Sequence, residues 1–240
     1  MRNTLLYTIS IFLFFTVSRI SAQEKSSKDS IKTPQLHSLR VGVDISKPIL
    51  GLFNTDYKAL ELVADYRLKN NIYLAGEFGT TTRSFDEVSF AYQTKGSYYK
   101  VGFDYNVYDN LIGMNNMIYT GLRYSHSTFS QELLHYDTNT IGNYWPNFSN
   151  TTATEYDNLN ASWVSLVFGL KVETFKNVFV SSSLQLNRLV SQKEPNNFKN
   201  LYIPGFNRVG LNALNASFNY TIAYTIPLTK STKEKSKTDE

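Results

Sequence analysis

The chain has 240 residues, with 24 Lys and Arg against 20 Asp and Glu, three His and no Cys. Without cysteine there is neither a disulfide nor a lipid-modified cysteine anchor, and a net charge of +4 with no basic, aromatic-studded face argues against nucleic-acid binding. Past the first twenty residues no run is apolar enough for a transmembrane helix, a test that alternating strands escape because their hydropathy averages out.

The N-terminus carries the clearest local signal. Arg2 precedes an apolar stretch from Leu5 to Val17, and Ser18-Arg19-Ile20-Ser21-Ala22 supplies small residues for cleavage before Gln23. That stretch falls short of the about 20 residues a spanning helix needs, so 1–22 is expected to be a signal peptide and the mature chain to be exported. Losing Arg2 and Arg19 leaves 22 basic against 20 acidic residues. Residues 23–38 are polar and are expected to be a disordered periplasmic lead-in.

Strand patterns follow in order. The first, 39–46, puts Leu39, Val41, Val43 and Ile45 on one side, and Lys47-Pro48 is expected to break it into a loop through Thr55. The second, 58–68, alternates Leu60, Leu62, Ala64, Tyr66 and Leu68 with Glu61, Val63, Asp65 and Arg67. Lys69-Asn70-Asn71 turns the chain into the third, 72–82, because Asn tolerates the left-handed backbone of tight turns. A longer loop, 84–93, is expected before the fourth strand, 95–107, whose apolar side is Tyr99, Val101, Phe103, Tyr105 and Val107.

The fifth strand, 117–128, leads into a polar segment, 130–160, expected to be one long external loop of functional character. The sixth, 162–174, and seventh, 178–187, are joined by a turn at Lys176-Asn177. A loop with Glu194-Pro195 and Ile203-Pro204-Gly205-Phe206 returns the chain to the eighth, 214–226. That last segment alternates Leu214, Ala216, Phe218, Tyr220, Ile222, Tyr224 and Ile226 with small or polar residues, at a length suited to crossing a bilayer on a tilt. Residues 229–240 are expected to be a disordered charged tail.

Short and long connections alternate, with both termini on the short side, as in barrels with brief periplasmic turns and longer external loops. The expected fold is therefore all-β: a single eight-stranded antiparallel up-and-down transmembrane β-barrel spanning 39–228. The apolar strand faces carry no charge, as lipid would enforce at about 2–4 kcal/mol per misplaced Lys or Arg. Small residues such as Gly42, Ala75, Gly79, Gly102, Gly121, Gly169 and Ala223 fall on the other face, where a narrow interior would crowd larger ones.

That polar face holds Arg40, Arg67, Lys100, Arg123 and Lys171 with Asp44, Glu61, Asp65, Glu77, Asp104 and Glu173. Near balance is what a sealed interior needs, so an ion-pair network that plugs the barrel is expected. Tyr66, Tyr105 and Tyr224 at the turn end, with Tyr99 and Tyr124 towards the loops, are expected to form an interface girdle. The three histidines, His37, His126 and His135, have no zinc-site spacing, and no cofactor or metal is expected.

These features together resemble small OmpA/OmpX-type outer-membrane barrels and, more narrowly, uncharacterised domain-of-unknown-function families of such barrels. The resemblance covers most of the mature chain, is architectural, and implies a Gram-negative outer membrane, with its lipid and the barrel insertion machinery as partners. The family pattern ends on an aromatic residue, whereas this chain continues past Tyr224 to Leu228 into its tail. An internal insertion signal around Tyr224 to Leu228, or a different mode of recognition, is implied. His126-Ser127-Thr128, with Glu132 nearby, is similar to the His-x-Ser arrangement of outer-membrane lipid A deacylases, with Thr128 where that family has Ser.

The favoured function is a non-enzymatic membrane scaffold that presents its loops, above all 130–160, for surface contact with an extracellular partner or for envelope integrity. A narrow polar pore, a lipid-modifying enzyme and a soluble lipocalin-like carrier are the competing readings.

Overall fold

Alternation of apolar and polar residues gives each strand two unlike faces, and closing the sheet lets both faces be satisfied without leaving an edge. A computed structural model describes residues 38–69, 71–108, 115–138, 148–150, 152–195, 199–210 and 212–228, all within the unit Pro34–Glu240. The leader, nearly all of the lead-in, Asn70, Trp145-Pro146 and the tail from 229 lie outside the described residues. Ser38, expected in the lead-in, already belongs to the first strand.

The elements are β1 (Ser38–Asp44), α1 (Ser46–Phe53), β2 (Tyr57–Lys69), β3 (Ile72–Glu87), β4 (Phe90–Asn106), β5 (Met117–Thr138), β6 (Phe148–Asn150), β7 (Thr154–Phe175), β8 (Val178–Gln192), β9 (Tyr202–Ile203), β10 (Asn207–Arg208) and β11 (Leu214–Pro227). Eight of them form the wall, each antiparallel to its neighbour, in the order β1, β2, β3, β4, β5, β7, β8, β11. The ring closes where Val41 meets Tyr224 and Val43 meets Ile222 across β1 and β11. This is an eight-stranded up-and-down barrel of the transmembrane type.

Orientation follows the alternation. Phe103 is 55% exposed, Leu122 66% and Phe218 53%, and Leu62, Leu170 and Ile222 also look outwards. Between them Glu61, Lys100 and Arg123 point to the axis and are buried. Grease lies outside and charge inside, the reverse of a soluble carrier barrel.

The narrow interior explains the small residues on the inner face. A Cβ at Gly169 would overlap the ring of Tyr119, and one at Gly79 would overlap Tyr98. The large rings occupy space that their glycine neighbours vacate.

Four connections differ from expectation. The first strand, expected to reach 46, ends at Asp44, and the loop expected through Thr55 holds the helix α1: Pro48 sits in its first turn, where the missing N–H costs nothing, and its ring favours the helical φ. The supposed loop 84–93 is strand on both sides of a two-residue turn, Val88-Ser89, since β3 pairs with β4 as far as Glu87 and Phe90. Much of 130–160 is strand as well: β5 runs on to Thr138, β7 begins at Thr154, and β6 pairs with the end of β5. β8 likewise continues past 187 to Gln192. Strands lengthened in this way carry the sheet beyond the apolar belt at the loop end.

Candidate functional site

The barrel interior is the feature that collects the chain's chemistry. Inward positions recur every second residue on each strand, so charged residues on β1, β2, β3, β4, β5 and β7 converge. Arg40 Nε donates to Asp65 Oδ1 at 2.6 Å, and Lys171 Nζ donates to the other oxygen of Asp65. The Arg40 guanidinium also lies over the rings of Tyr73, at 4.8 Å, and Phe179, at 5.1 Å.

A second chain of pairs crosses the barrel. Lys100 Nζ reaches Glu77 at 2.7 Å, Glu61 at 3.1 Å and Gln185 at 3.2 Å. Arg123 joins Glu77 at 3.3 Å to Asp104, which it grips with both terminal nitrogens at 2.8 and 3.0 Å. Tyr98 donates to Glu61 at 2.6 Å, and Asn219 donates to Asp44 at 2.7 Å and to Glu61 at 2.9 Å.

Nine of the eleven residues expected in the network meet in these contacts. Arg67 and Glu173 lie at the turn end: Arg67 donates to the hydroxyl of Tyr73, whose ring it shares with Arg40, while Glu173 accepts from Asn115 at 3.1 Å and from the backbone N–H of Asn177 at 2.9 Å. The missing member is Lys47. From the first turn of α1 its amine reaches 3.4 Å from Asp44 and 3.5 Å from Glu61.

Among the described residues these ion pairs join five cations (Arg40, Lys47, Lys100, Arg123, Lys171) to five carboxylates (Asp44, Glu61, Asp65, Glu77, Asp104). Removing either partner of a buried pair leaves a desolvated charge, which costs far more than the pair contributes. Lys47, Asn219, Gln185 and Tyr98 were not picked out from the sequence as network members. For Lys47 the available clue was an unmatched carboxylate on an otherwise balanced face.

Towards the loop end the interior changes from ionic to apolar. The segment between β8 and β11 folds back into the mouth as a short hairpin of β9 and β10, and Tyr202, Ile203 and Phe206 are buried. Ile203 and Phe206 pack with Tyr98, Phe129, Leu159, Ala161 and Trp163. Tyr202 packs with Tyr92 and Leu133, beside Phe85 and Phe90. Gly205 takes a φ of +81° against the Tyr98 ring, a conformation and a proximity that a side chain would not tolerate. A connection expected merely to return the chain is a stopper.

On the outer face Tyr99, Tyr105, Tyr124 and Tyr224 are each about half exposed, and Tyr66 is half-buried. Tyr66 lies across from Leu39 and Leu74, and Tyr105 across from Ile72, near the turn end. His126 also looks outwards, its ring tilted against that of Tyr99 with centroids 5.7 Å apart. Its Nδ1 is 2.9 Å from Ser162 Oγ, to which the Tyr124 hydroxyl also approaches at 3.3 Å. Ser127 is buried on the inner face and Thr128 is exposed on the outer one, so neither shares the contact with His126 that its position in sequence suggested. Among the described residues no group of three or more His, Cys, Asp or Glu side chains could hold a metal ion.

With this geometry in view, comparison with known proteins is informative about family. Residues 4–231 match the family described as a domain of unknown function, DUF6048. The chain belongs to that family. A solved structure that resembles it is the crystal structure of Ail, the attachment invasion locus protein of Yersinia pestis, at 12% identity and a TM-score of 0.42, covering 80% of this chain and 100% of that one. No curated protein matches the chain. In this DUF6048 barrel the eight-stranded wall surrounds a paired ionic core and an aromatic stopper.

Proposed function

We propose that this DUF6048 protein is a sealed, non-enzymatic barrel of the Gram-negative outer membrane that serves as a rigid scaffold for its external segments. The observation that carries the reading is the partition of the wall, with a continuous apolar belt outside and paired charges within. Lipid is the solvent that rewards such a belt, and each wall strand is hydrogen-bonded to both of its neighbours around the ring, as hydrocarbon requires.

Filling supports a scaffold over a pore. The paired carboxylates and cations occupy the axis, and Ile203 with Phe206 stands in the outer mouth. A signal peptide at 1–22 and the barrel insertion machinery are proposed as the route to the membrane. The projecting ends of β5 and β7, within 130–160, are proposed as the surface for an extracellular partner, because loops held on a rigid frame are where binding residues concentrate.

Reconstitution into planar bilayers tests the reading. The expected result is heat-modifiable gel migration, resistance to alkaline carbonate extraction and no unitary conductance steps. Regular steps would replace the scaffold with a pore. Loss from membranes in carbonate would replace it with a soluble carrier.

A further inference from the structure

The helix α1 is turned inside out. In a protein surrounded by water, a surface helix directs its apolar face to the protein and its charges to solvent. Here Lys47 and Gly51, one turn apart, face the barrel. Lys47 reaches Asp44 and Glu61, and a Cβ at Gly51 would come within 2.8 Å of the Tyr57 carbonyl oxygen. Leu52 and Phe53 point the other way and are 82% and 87% exposed, with Ile49 also exposed on that side.

We infer that α1 is an interfacial anchor whose Ile49, Leu52 and Phe53 side chains insert among the acyl chains of the outer leaflet. The inference rests on the membrane reading above. Its occupant is lipid because the face continues the apolar belt. Val43 is the last outward residue before the helix, and Leu60 is outward and exposed just after it. Between helix and belt, Lys58 is exposed on the outer side of β2, placed to extend its amine to lipid phosphate while its stem stays in the apolar layer.

The arrangement gives the anchor a consequence inside the barrel. The helix that places Ile49, Leu52 and Phe53 in lipid also carries the amine that pairs with Asp44 and Glu61. Lipid on one side and paired charge on the other hold the helix at the mouth of β1 and β2.

Because the chain has no native cysteine, spin labels can be placed singly in the full-length protein reconstituted in phospholipid vesicles. Labels are introduced by Leu52→Cys and Phe53→Cys on the helix, Phe103→Cys in mid-belt and Val88→Cys on the β3–β4 turn. Collision with oxygen, which concentrates in lipid, is compared with collision with a water-soluble nickel chelate. The expected result is that positions 52, 53 and 103 favour oxygen severalfold more than position 88 does. Nickel-accessible labels at 52 and 53 with a lipid-like label at 103 would overturn the anchor and leave the membrane reading intact. Labels at 52 and 53 shielded from both reagents would also overturn it, by showing a protein cover. A nickel-accessible label at 103 would bring down the membrane reading itself.

Discussion

Phe206 meets the indole of Trp163 edge-on, with ring centroids 5.7 Å apart at 69°. The two residues come from opposite kinds of structure. Trp163 stands on the inner face of a long wall strand, whereas Phe206 follows the tight Pro204-Gly205 turn of the returning segment. Edge-to-face packing of this sort contributes beyond the area it buries, and here it joins the stopper to the barrel.

That contact predicts a separable opening. Phe206→Ala should weaken docking of the returning segment by roughly 3–5 kcal/mol, the usual cost of emptying a buried phenylalanine site. The wall does not depend on the stopper for its backbone pairing, so heat-modifiable migration should persist. Trypsin should cut the variant at Lys199 or Arg208 much faster than the parent, and Trp163 emission should shift to longer wavelength. Unchanged cleavage would show that the segment is held by something other than Phe206.

Lys100 predicts a different kind of damage. Its amine serves Glu61 and Glu77 at once, so Lys100→Met leaves two buried carboxylates with diminished compensation. Breaking a buried pair typically costs about 3–5 kcal/mol. The variant should lose its folded gel band at a lower temperature or urea concentration. Adding Glu77→Gln should recover part of the loss, because the second change removes one of the stranded charges. A double variant as weak as the single would mean that Lys100 acts through packing instead of charge.

The interior and the belt differ in how openly the sequence declares them. Val101, Phe103 and Tyr105 alternate with Lys100, Gly102 and Asp104, and membrane and core demand such unlike residues that strand and face are both legible there. Contrast fades beyond the apolar belt. Thr80, Thr81, Thr82 and Ser84 on β3 look alike on both faces, so the pairing of their backbones with β4, which makes them strand, leaves no mark in the side chains. The stopper was hidden for another reason: Ile203 and Phe206 declare only that they are apolar, and their partners Trp163 and Tyr98 lie far off in the chain. Lys47 is hidden by Pro48, which reads as a strand breaker and sits in the first turn of a helix.

Tyr202 predicts a response to alkali. Its burial in the outer mouth raises its pKa, the Tyr57 hydrogen bond adds to the rise, and Arg83 opposes it. Tyrosines of an unfolded segment ionise at about 10, so the docked segment holds the Tyr202 phenol proton more tightly. The stability it contributes is complete below that pH and is lost as pH rises towards the folded value. Tyr202→Phe should therefore move the alkaline change in Trp163 fluorescence to higher pH, and phenolate absorbance should rise in step with that change in the parent. A midpoint unaffected by the substitution would exclude Tyr202 as the trigger.

The wall itself predicts a contrast between two exposed apolar sites. Phe103 lies in the apolar belt on β4 between Tyr99 and Tyr105, flanked by Leu74 and Leu122 across the sheet, whereas Leu134 lies on the part of β5 that runs past the belt. Both look outwards and neither is buried in protein. In water, arginine would be tolerated at either, with an effect within about 0.5 kcal/mol as at most surface positions. In a bilayer the two separate, because a lipid-facing arginine near the midplane costs about 2–4 kcal/mol and one outside the hydrocarbon costs little. Phe103→Arg should accordingly lower the urea midpoint of the lipid-reconstituted barrel while Leu134→Arg leaves it unchanged. Equal and small effects at both sites would mean that the outer face of β4 meets water, and with that the case for lipid around the wall would fail.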